Sequence, residues 1–293
     1  MSKHIVCFSK GHSSALVAIE VTRKFGKENV ILLNHDIHPD KEEADIKRFG
    51  SEVSEYLGIP ITYCNINGIE NPLDIPDQFD IAIQKQGFKA PGTGDAFCTS
   101  ELKTIPFNDF IKKYFPDADC IIYYGFDANE MVRVARRQYV LGSMGYQTDY
   151  PLAFWGAERE TENGIEIYNP RTIFSTEEIG IRKPNTYSQF KHANCTGCLK
   201  GGMQHWYVTY CTRYDIFKKA KETEEYLGYS ILRMMKKGVM HPSPLSELEP
   251  IFERMKCAGV PASEHIPRGE FGKYLKKYKI ESLDEAKPCE CFV

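Results

Sequence analysis

The chain has 293 residues, of which 42% are hydrophobic, and this length suits one large α/β domain or one domain with an appendage. Its 37 Lys and Arg residues nearly balance 40 Asp and Glu residues, so the net charge of −3 excludes a general electrostatic attraction to nucleic acid. Since no segment has the length of a transmembrane helix and the first residues do not resemble a signal peptide, we expect a cytoplasmic protein without membrane contact.

Short apolar runs alternate with helical patterns in the first half of the chain. The patterns predict strands at 4–8, 30–34, 61–66 and 120–125, and helices at 13–25, 40–57, 101–114 and 127–141. This alternation is typical of the α/β class, with a doubly wound, mostly parallel sheet. We assign residues 1–175 to a nucleotide-binding α/β domain.

The rest of the chain is interpreted more coarsely. Residues 67–100 form a long loop with one short helix near 77–86, and residues 158–166 form a polar hairpin or loop. Residues 176–293 are assigned to a cysteine-containing, mostly helical region whose tail folds back. Its predicted helical stretches are 201–236 and 244–257.

The first strand leads into a turn with the features of an anion site. The turn consists of Ser9, Lys10, Gly11, His12, Ser13 and Ser14, and an apolar helix follows it at once. A strand–turn–helix arrangement directs backbone N–H groups and the positive end of the helix dipole at one point, where a phosphate can bind. As a bare pattern this signal is weak, because many strand–helix starts look alike.

Two later strands end in polar residues that should meet this turn. Asn34, His35 and Asp36 end the second strand, and Gly125 ends the fourth. Glu130, Arg133 and Arg137 then share one face of a helix. They are interpreted either as a solvated face with ion pairs or as an arginine set that faces phosphate or sulfate.

Ten cysteines need an explanation, because the cytosol disfavours a disulfide framework. Those in apolar runs, Cys7, Cys64 and Cys120, are interpreted as small buried hydrophobes. The candidates for chemistry are Cys98, Cys195, Cys198, Cys289 and Cys291. The Cys195-x-x-Cys198 spacing is suited to binding zinc or an iron–sulfur cluster, with an incidental Gly-rich turn as the alternative.

Taken in order, four segments resemble the phosphoadenylyl-sulfate (PAPS) reductase-like family of the N-type ATP pyrophosphatases. The 9–14 turn resembles the family's SGGxDS loop, and residues 98–106 resemble its C-x-x-x-L-K-x-x-P segment. Residues 125–133 are similar to its G-x-R-x-D-E-x-x-R element, and residues 194–200 to its N-C-x-G-C-x-K segment. The resemblance covers roughly residues 4–225 and implies an adenine nucleotide alpha-hydrolase-like fold.

The resemblance also implies roles for individual residues. Ser9, Gly11, Ser13 and Ser14 would bind the terminal phosphate or sulfate. Asn34, His35 and Asp36 would lie near the adenosine, and Glu130 and Arg133 would close the site. Two positions depart from the family's loop, since Lys10 replaces a second Gly and Ser13 replaces an Asp. The missing carboxylate favours a phosphosulfate or a metal-free phosphate over Mg-ATP, without excluding ATP.

The cysteines resemble those of the branch that carries a [4Fe–4S] cluster. That branch has a Cys-Cys pair, but here Cys98 is followed by Thr99, so Cys289 or Cys291 would supply a fourth ligand. Alternatively Cys291, in the Glu290-Cys291 step that survives from the reductases' E-C-G-x-H ending, is the nucleophile. Zinc is the alternative metal.

Three functions follow from these expectations. The first is sulfonucleotide reduction with PAPS or adenylyl sulfate (APS), which needs a thiol or another electron donor. The second is ATP-dependent sulfur transfer to nucleic acid through the cluster. The third is a nucleotide-binding module with a zinc staple and no turnover. The basic residues between 213 and 237 are interrupted by glutamates, which favours a solvated helix face over a nucleic-acid contact. Homo-oligomerisation is left open.

Overall fold

The structure is a computed structural model that describes residues 2–91, 95–161, 164–168, 171–193, 195–236 and 238–280. The chain divides into two compact units. The first comprises Met1–Ile37, Glu43–Pro72 and Leu102–Asn185, and the second comprises His38–Glu42, Leu73–Glu101 and Thr186–Val293. Compared with the predicted domains 1–175 and 176–293, His38–Glu42 and Leu73–Glu101 belong to the second unit, and residues 176–185 belong to the first.

The elements follow one another in this order. The strands are β1 (Lys3–Cys7), β2 (Val30–His35), β3 (Ile61–Cys64), β4 (Cys120–Tyr123), β5 (Gln147–Asp149), β6 (Ala157–Thr161), β7 (Gly164–Tyr168), β8 (Arg233–Lys236) and β9 (Val239–Pro242). The α-helices are α1 (His12–Phe25), α2 (Ala44–Leu57), α3 (Gln78–Gln84), α4 (Phe97–Thr99), α5 (Ile105–Tyr114), α6 (Met131–Gly142), α7 (Met203–Thr212), α8 (Tyr214–Leu227), α9 (Leu245–Cys257) and α10 (Arg268–Ile280). A π-helical turn, Ser100–Thr104, leads into α5.

The first unit contains a five-stranded sheet in the order β3-β2-β1-β4-β5. Every neighbouring pair in it is parallel. All four predicted strands are present within two residues of their expected ends, and β5 is an additional short edge strand. The predicted α/β class with a parallel sheet is therefore confirmed, and the topology is compatible with a doubly wound fold.

Alternating side chains of the central strands pack on opposite faces of this sheet, as strand geometry requires. Val6 and Leu32 belong to one buried cluster, together with residues of α1 and α2. Ile5 and Leu33 belong to another, with residues of α5 and α6. Helices therefore cover both faces, which explains why the strands are continuous apolar runs.

The second unit has a core rich in aromatic side chains from α3 and α7 to α10. Trp206, Tyr207, Phe217 and Phe252 are fully buried in it. Several of these rings meet edge to face, the geometry that aromatic pairs prefer. None of the described helices in either unit has the length and apolarity needed to cross a membrane.

The hairpin β8–β9 corrects one prediction. A helical stretch was expected to extend to residue 236, but α8 ends at Leu227, where Gly228 adopts the left-handed conformation that closes a helix. Gly238, at φ +80°, lies in the turn of the hairpin that follows. The predicted hairpin near 158–166 is confirmed by the antiparallel pair β6–β7.

Candidate functional site

The candidate site lies at the carboxyl ends of the central strands of the first unit. In the strand order, β1 stands between β2 and β4. The chain leaves β1 toward α1 on one face, while β4 leads into α6 on the other face. In open parallel sheets ligands bind at such a reversal of strand order, outside the carboxyl ends. The 9–14 turn connects β1 to α1 at this point.

Hydrogen bonds from β2 fix the start of the turn. The Phe8 N–H donates to the Leu33 carbonyl at 2.8 Å. The side-chain amide of Asn34 donates to the Phe8 carbonyl at 2.6 Å. Asn34 is buried, so its side chain positions the turn from beneath.

Within the turn, hydroxyl groups link its two ends. The Ser9 and Ser14 hydroxyls lie 3.2 Å apart, and the Ser14 hydroxyl donates to the Gly11 carbonyl at 2.8 Å. Gly11 is the N-cap of α1 and provides no side-chain cap. The first turn of α1 contains no acidic residue. The first turn of this 14-residue helix therefore contributes no carboxylate of its own to neutralise the positive end that faces the 9–14 turn.

Gly125, just beyond β4, packs directly on the backbone of α1. A Cβ atom at this position would lie 2.9 Å from the Ser14 nitrogen and 3.0 Å from the Ser13 carbonyl carbon. Only glycine permits this approach without a shift of one backbone or the other. The expected convergence of the first turn with the ends of β2 and β4 is thus confirmed.

Lys10 has an unexpected environment. Its φ is +58°, the left-handed region that costs an L-residue about 1–2 kcal/mol and that glycine adopts freely. Its aliphatic stem packs so closely on Gly50 of α2 that a Cβ atom there would lie 2.7 Å from Lys10 Cγ. The ammonium lies 5.1 Å from the centroid of the Tyr63 ring. The backbone at Lys10 therefore has a conformation that glycine adopts freely, and its side chain is held by α2 and β3.

His12 is the first residue of α1 and is held by a neighbouring segment. Its Nε2 accepts a hydrogen bond of 3.4 Å from the Thr176 N–H. Burial lowers its pKa to about 4, the nearby charges of Lys183 and Arg171 act in the same direction, and the Glu177 carboxylate opposes them. His12 is therefore neutral at physiological pH.

His35, at the end of β2, is also a neutral imidazole. Burial lowers its pKa to about 3, and the positive charges of Lys103 and Arg137 contribute. Its Nδ1 lies 3.5 Å from the Cys64 sulfur. Lys103, in the π-helical turn, and Arg137, in α6, thus act electrostatically on the end of β2. Lys103 was not a predicted site residue, although it lies in a segment that carries the family resemblance.

The residues after β4 form a cap, an ion pair and an aromatic stack. Asp127 and Glu130 form a capping box before α6, and Glu130 also pairs with Arg133. The Arg133 guanidinium lies 4.1 Å from the centroid of the Phe126 ring. This confirms the predicted ion pairing, while contact of Arg133 with a ligand stays a prediction. Arg137 is closer to the strand ends, 5.9 Å from the centroid of Tyr124.

The cysteines of the first unit are poor nucleophiles. Burial raises the pKa of the Cys7 and Cys64 thiols to about 12 and that of Cys120 to about 11. All three pack in or against the buried cluster on the α5/α6 face. The expected role as a small buried hydrophobe is confirmed for Cys120, whereas Cys7 and Cys64 are only half-buried.

The remaining cysteines with expected functions belong to the second unit. Cys98 lies in α4 and packs half-buried against the aromatic core, while Cys195 and Cys198 flank a tight turn. Within the described residues, no group of three or more His, Cys, Asp or Glu side chains is arranged to hold a metal ion. The expected ligands Cys289 and Cys291 lie outside the described residues. The described part of the chain therefore offers a cysteine pair but not the full ligand set of a four-ligand metal site.

Together, these features define an α/β protein whose first strand–turn–helix connection lies at the reversal point of a parallel sheet. The chain is similar to the uncharacterized nin region protein ORF290 of Escherichia phage lambda. The two are 27% identical over 206 residues, and the match covers 61% of this chain and 68% of ORF290. No family model and no solved structure matches the chain.

Proposed function

We propose that the 9–14 turn holds the phosphate or sulfate group of an adenine nucleotide, and that the protein carries out sulfonucleotide reduction as a PAPS reductase-like enzyme. The observation that carries the proposal is the packing of Gly125 on the backbone of Ser13 and Ser14. This contact brings the N-terminus of α1, which has no side-chain cap, to the point of the sheet where nucleotides bind in related topologies.

The charges around the turn support an anion that arrives without a divalent metal. The first turn of α1 has no carboxylate that could hold Mg²⁺. Lys103 and Arg137 act electrostatically on His35 at the neighbouring strand end. Cationic side chains that act on the end of a neighbouring strand would also attract an anionic phosphosulfate.

The proposed chemistry is transfer of a sulfonate group to a thiolate. The sulfur–sulfur bond forms as the sulfur–oxygen bond to the phosphate breaks, and AMP or its 3′-phosphate leaves with the bonding electron pair. A second thiol then attacks the sulfur of that cysteine. Sulfite leaves, and the two thiols are joined in a disulfide. Helix dipole and strand-end cations would stabilise the charge that develops on the departing phosphate. The family resemblance implies Cys291, outside the described residues, as the nucleophile, and the raised pKa values of Cys7 and Cys64 make those two thiols poor alternatives.

Turnover assays of the full chain with PAPS, APS and ATP test the proposal. We expect release of sulfite and of AMP or its 3′-phosphate from a sulfonucleotide when a thiol donor is present. Pyrophosphate released from ATP, without sulfite from either sulfonucleotide, would instead favour the sulfur-transfer alternative. Binding without turnover would favour the nucleotide-binding module, and the absence of both would refute nucleotide binding.

Two serines provide a matched pair of variants for these assays. The hydroxyl of Ser14, in the turn, and that of Ser143, beyond α6, each donate at 2.8 Å to a carbonyl three residues earlier. Ser14→Ala removes a hydroxyl at the proposed anion site, so we expect weaker nucleotide binding. Ser143→Ala makes the same chemical change at an exposed position, and we expect wild-type binding. Equal binding by both variants would argue against the site.

A further inference from the structure

The second unit contains a cysteine pair on a tight turn, a feature independent of the nucleotide site. The turn is formed by Thr196 and Gly197, with Cys195 before it and Cys198 after it. Gly197 has φ +71°, the conformation that a type II turn needs at its third residue. A β-turn brings its first and last Cα atoms within about 7 Å. A disulfide spans Cα separations of about 4.4–6.8 Å, so this turn places the two cysteines in the range for bond formation.

Two segments of the same unit anchor the backbone of the turn. The Thr196 N–H donates to the Lys41 carbonyl at 3.0 Å. The side-chain amide of Gln78 donates to the Thr196 carbonyl at 2.8 Å and to the Gly197 carbonyl at 3.3 Å. The backbone between the two cysteines is thereby fixed before any partner arrives.

His205 holds the second cysteine in place. The Cys198 N–H donates to His205 Nε2 at 3.2 Å, so that nitrogen acts as an acceptor. His205 Nδ1 lies 2.8 Å from the Glu264 carboxylate and donates its proton to it. Burial raises the pKa of Glu264, but its hydrogen bonds to His205 and to the Lys191 N–H outweigh burial and leave the value lowered. The acceptor state of Nε2 is thus fixed by a buried hydrogen-bond chain.

The two residues between the cysteines are more deeply buried than the cysteines themselves. Thr196 and Gly197 are buried, and a Cβ atom on Gly197 would lie 2.5 Å from Ile216 Cγ2. Cys195 and Cys198 are each only half-buried. The middle of the turn is therefore packed in the core of the second unit, while both cysteines retain access to solvent.

We infer that Cys195 and Cys198 form a redox-active dithiol that exchanges with the disulfide of a small thiol such as glutathione. One cysteine thiolate attacks a sulfur of the external disulfide and releases one thiolate. The second cysteine attacks the resulting mixed disulfide and releases the other. Two cysteine thiols are oxidised to one disulfide, and the external disulfide accepts the two electrons and two protons as two thiols.

Equilibration of the full chain with graded ratios of reduced and oxidised glutathione tests this inference. Acid quenching, alkylation of the remaining thiols and peptide mass spectrometry then locate any disulfide. We expect reversible loss of two hydrogens from the peptide that contains both cysteines, with the fold retained by circular dichroism. Cys195→Ser abolishes the internal disulfide, while Cys257→Ser, at an exposed cysteine elsewhere in the unit, leaves the transition unchanged.

Two results would overturn the inference. One is that both cysteines stay reduced across the whole glutathione range unless the protein is denatured. The other is that the purified chain binds zinc or iron at one equivalent or more, that Cys195→Ser removes it, and that the metal blocks oxidation. Nucleotide turnover does not enter either readout, so failure of this inference is distinguishable from failure of the proposed function.

Discussion

Replacement of Gly125 by alanine probes the contact between β4 and the 9–14 turn. The added Cβ atom would lie 2.9 Å from the Ser14 nitrogen and 3.0 Å from both the Ser13 carbonyl carbon and Ser14 Cα. All three are backbone atoms, so no flexible side chain can move aside. Gly125 is not among the residues with positive φ, and alanine can therefore adopt its backbone conformation. The effect of the substitution is steric.

The magnitude follows from the cost of overpacking. Forcing one extra carbon into a filled site typically costs about 1–3 kcal/mol of the free energy of unfolding. If the 9–14 turn moves instead to make room for the added carbon, the first residues of α1 shift by several tenths of an ångström. The backbone N–H groups of the turn then lose their alignment. We therefore expect Gly125→Ala to lower stability by about 1–3 kcal/mol, to weaken nucleotide binding, or both.

Gly142→Ala is the matched control, because a Cβ atom there meets nothing within 4 Å. Alanine at this helical position should leave stability unchanged or raise it by about 0.5–1 kcal/mol. Urea unfolding measures the stability of both variants, and calorimetric titration with AMP, ATP and PAPS measures binding. If Gly125→Ala matched the wild type in both measurements, the close approach of β4 to the turn would be refuted.

Three further variants test the environments of single groups. Gly197→Ala adds a Cβ atom 2.5 Å from Ile216 Cγ2 to a residue with φ +71°. We expect urea unfolding to show a free energy of unfolding lower by roughly 2–5 kcal/mol. A decrease of under about 1 kcal/mol would contradict the geometry of the turn. His35 has its pKa lowered to about 3, so its contribution to stability is fully present above pH 6.5 and is lost as the pH falls. We expect His35→Asn to flatten the decline in the free energy of unfolding between pH 6.5 and 4. An unchanged slope would refute the assigned pKa shift. Burial raises the pKa of Glu224 to about 7, so its contribution to stability is greatest below pH 4.5 and declines as the pH rises toward 7. We expect Glu224→Gln to remove that decline in the free energy of unfolding measured against pH.

The sheet and its convergence point could be predicted from the sequence because they depend on local patterns. The central strands are buried on both faces and appear as unbroken apolar runs, of which residues 4–8 are the clearest case. The edge strand β5 was missed, since its sequence Gln147-Thr148-Asp149 is polar and short. The partner strand β4, rather than its own composition, gives it strand structure.

The second unit was less predictable, because its elements depend on long-range packing. Arg233 to Lys236 are good helix formers, yet the glycines at 228 and 238 end one helix and form a hairpin turn. Helix α10 was not predicted; its side chains Phe271 and Tyr278, seven residues apart, lie on one buried face. The environment of Lys10 was also beyond the sequence, since it depends on Gly50 across the fold.

Hydrogen–deuterium exchange with and without a sulfonucleotide tests the central claim most directly, because it reports which backbone N–H groups a ligand protects. At saturating PAPS we predict that protection is concentrated in residues 9–15, with a smaller effect near Gly125. Binding of PAPS without protection of the turn, or protection confined to the second unit, would contradict the assignment of the 9–14 turn as the anion site.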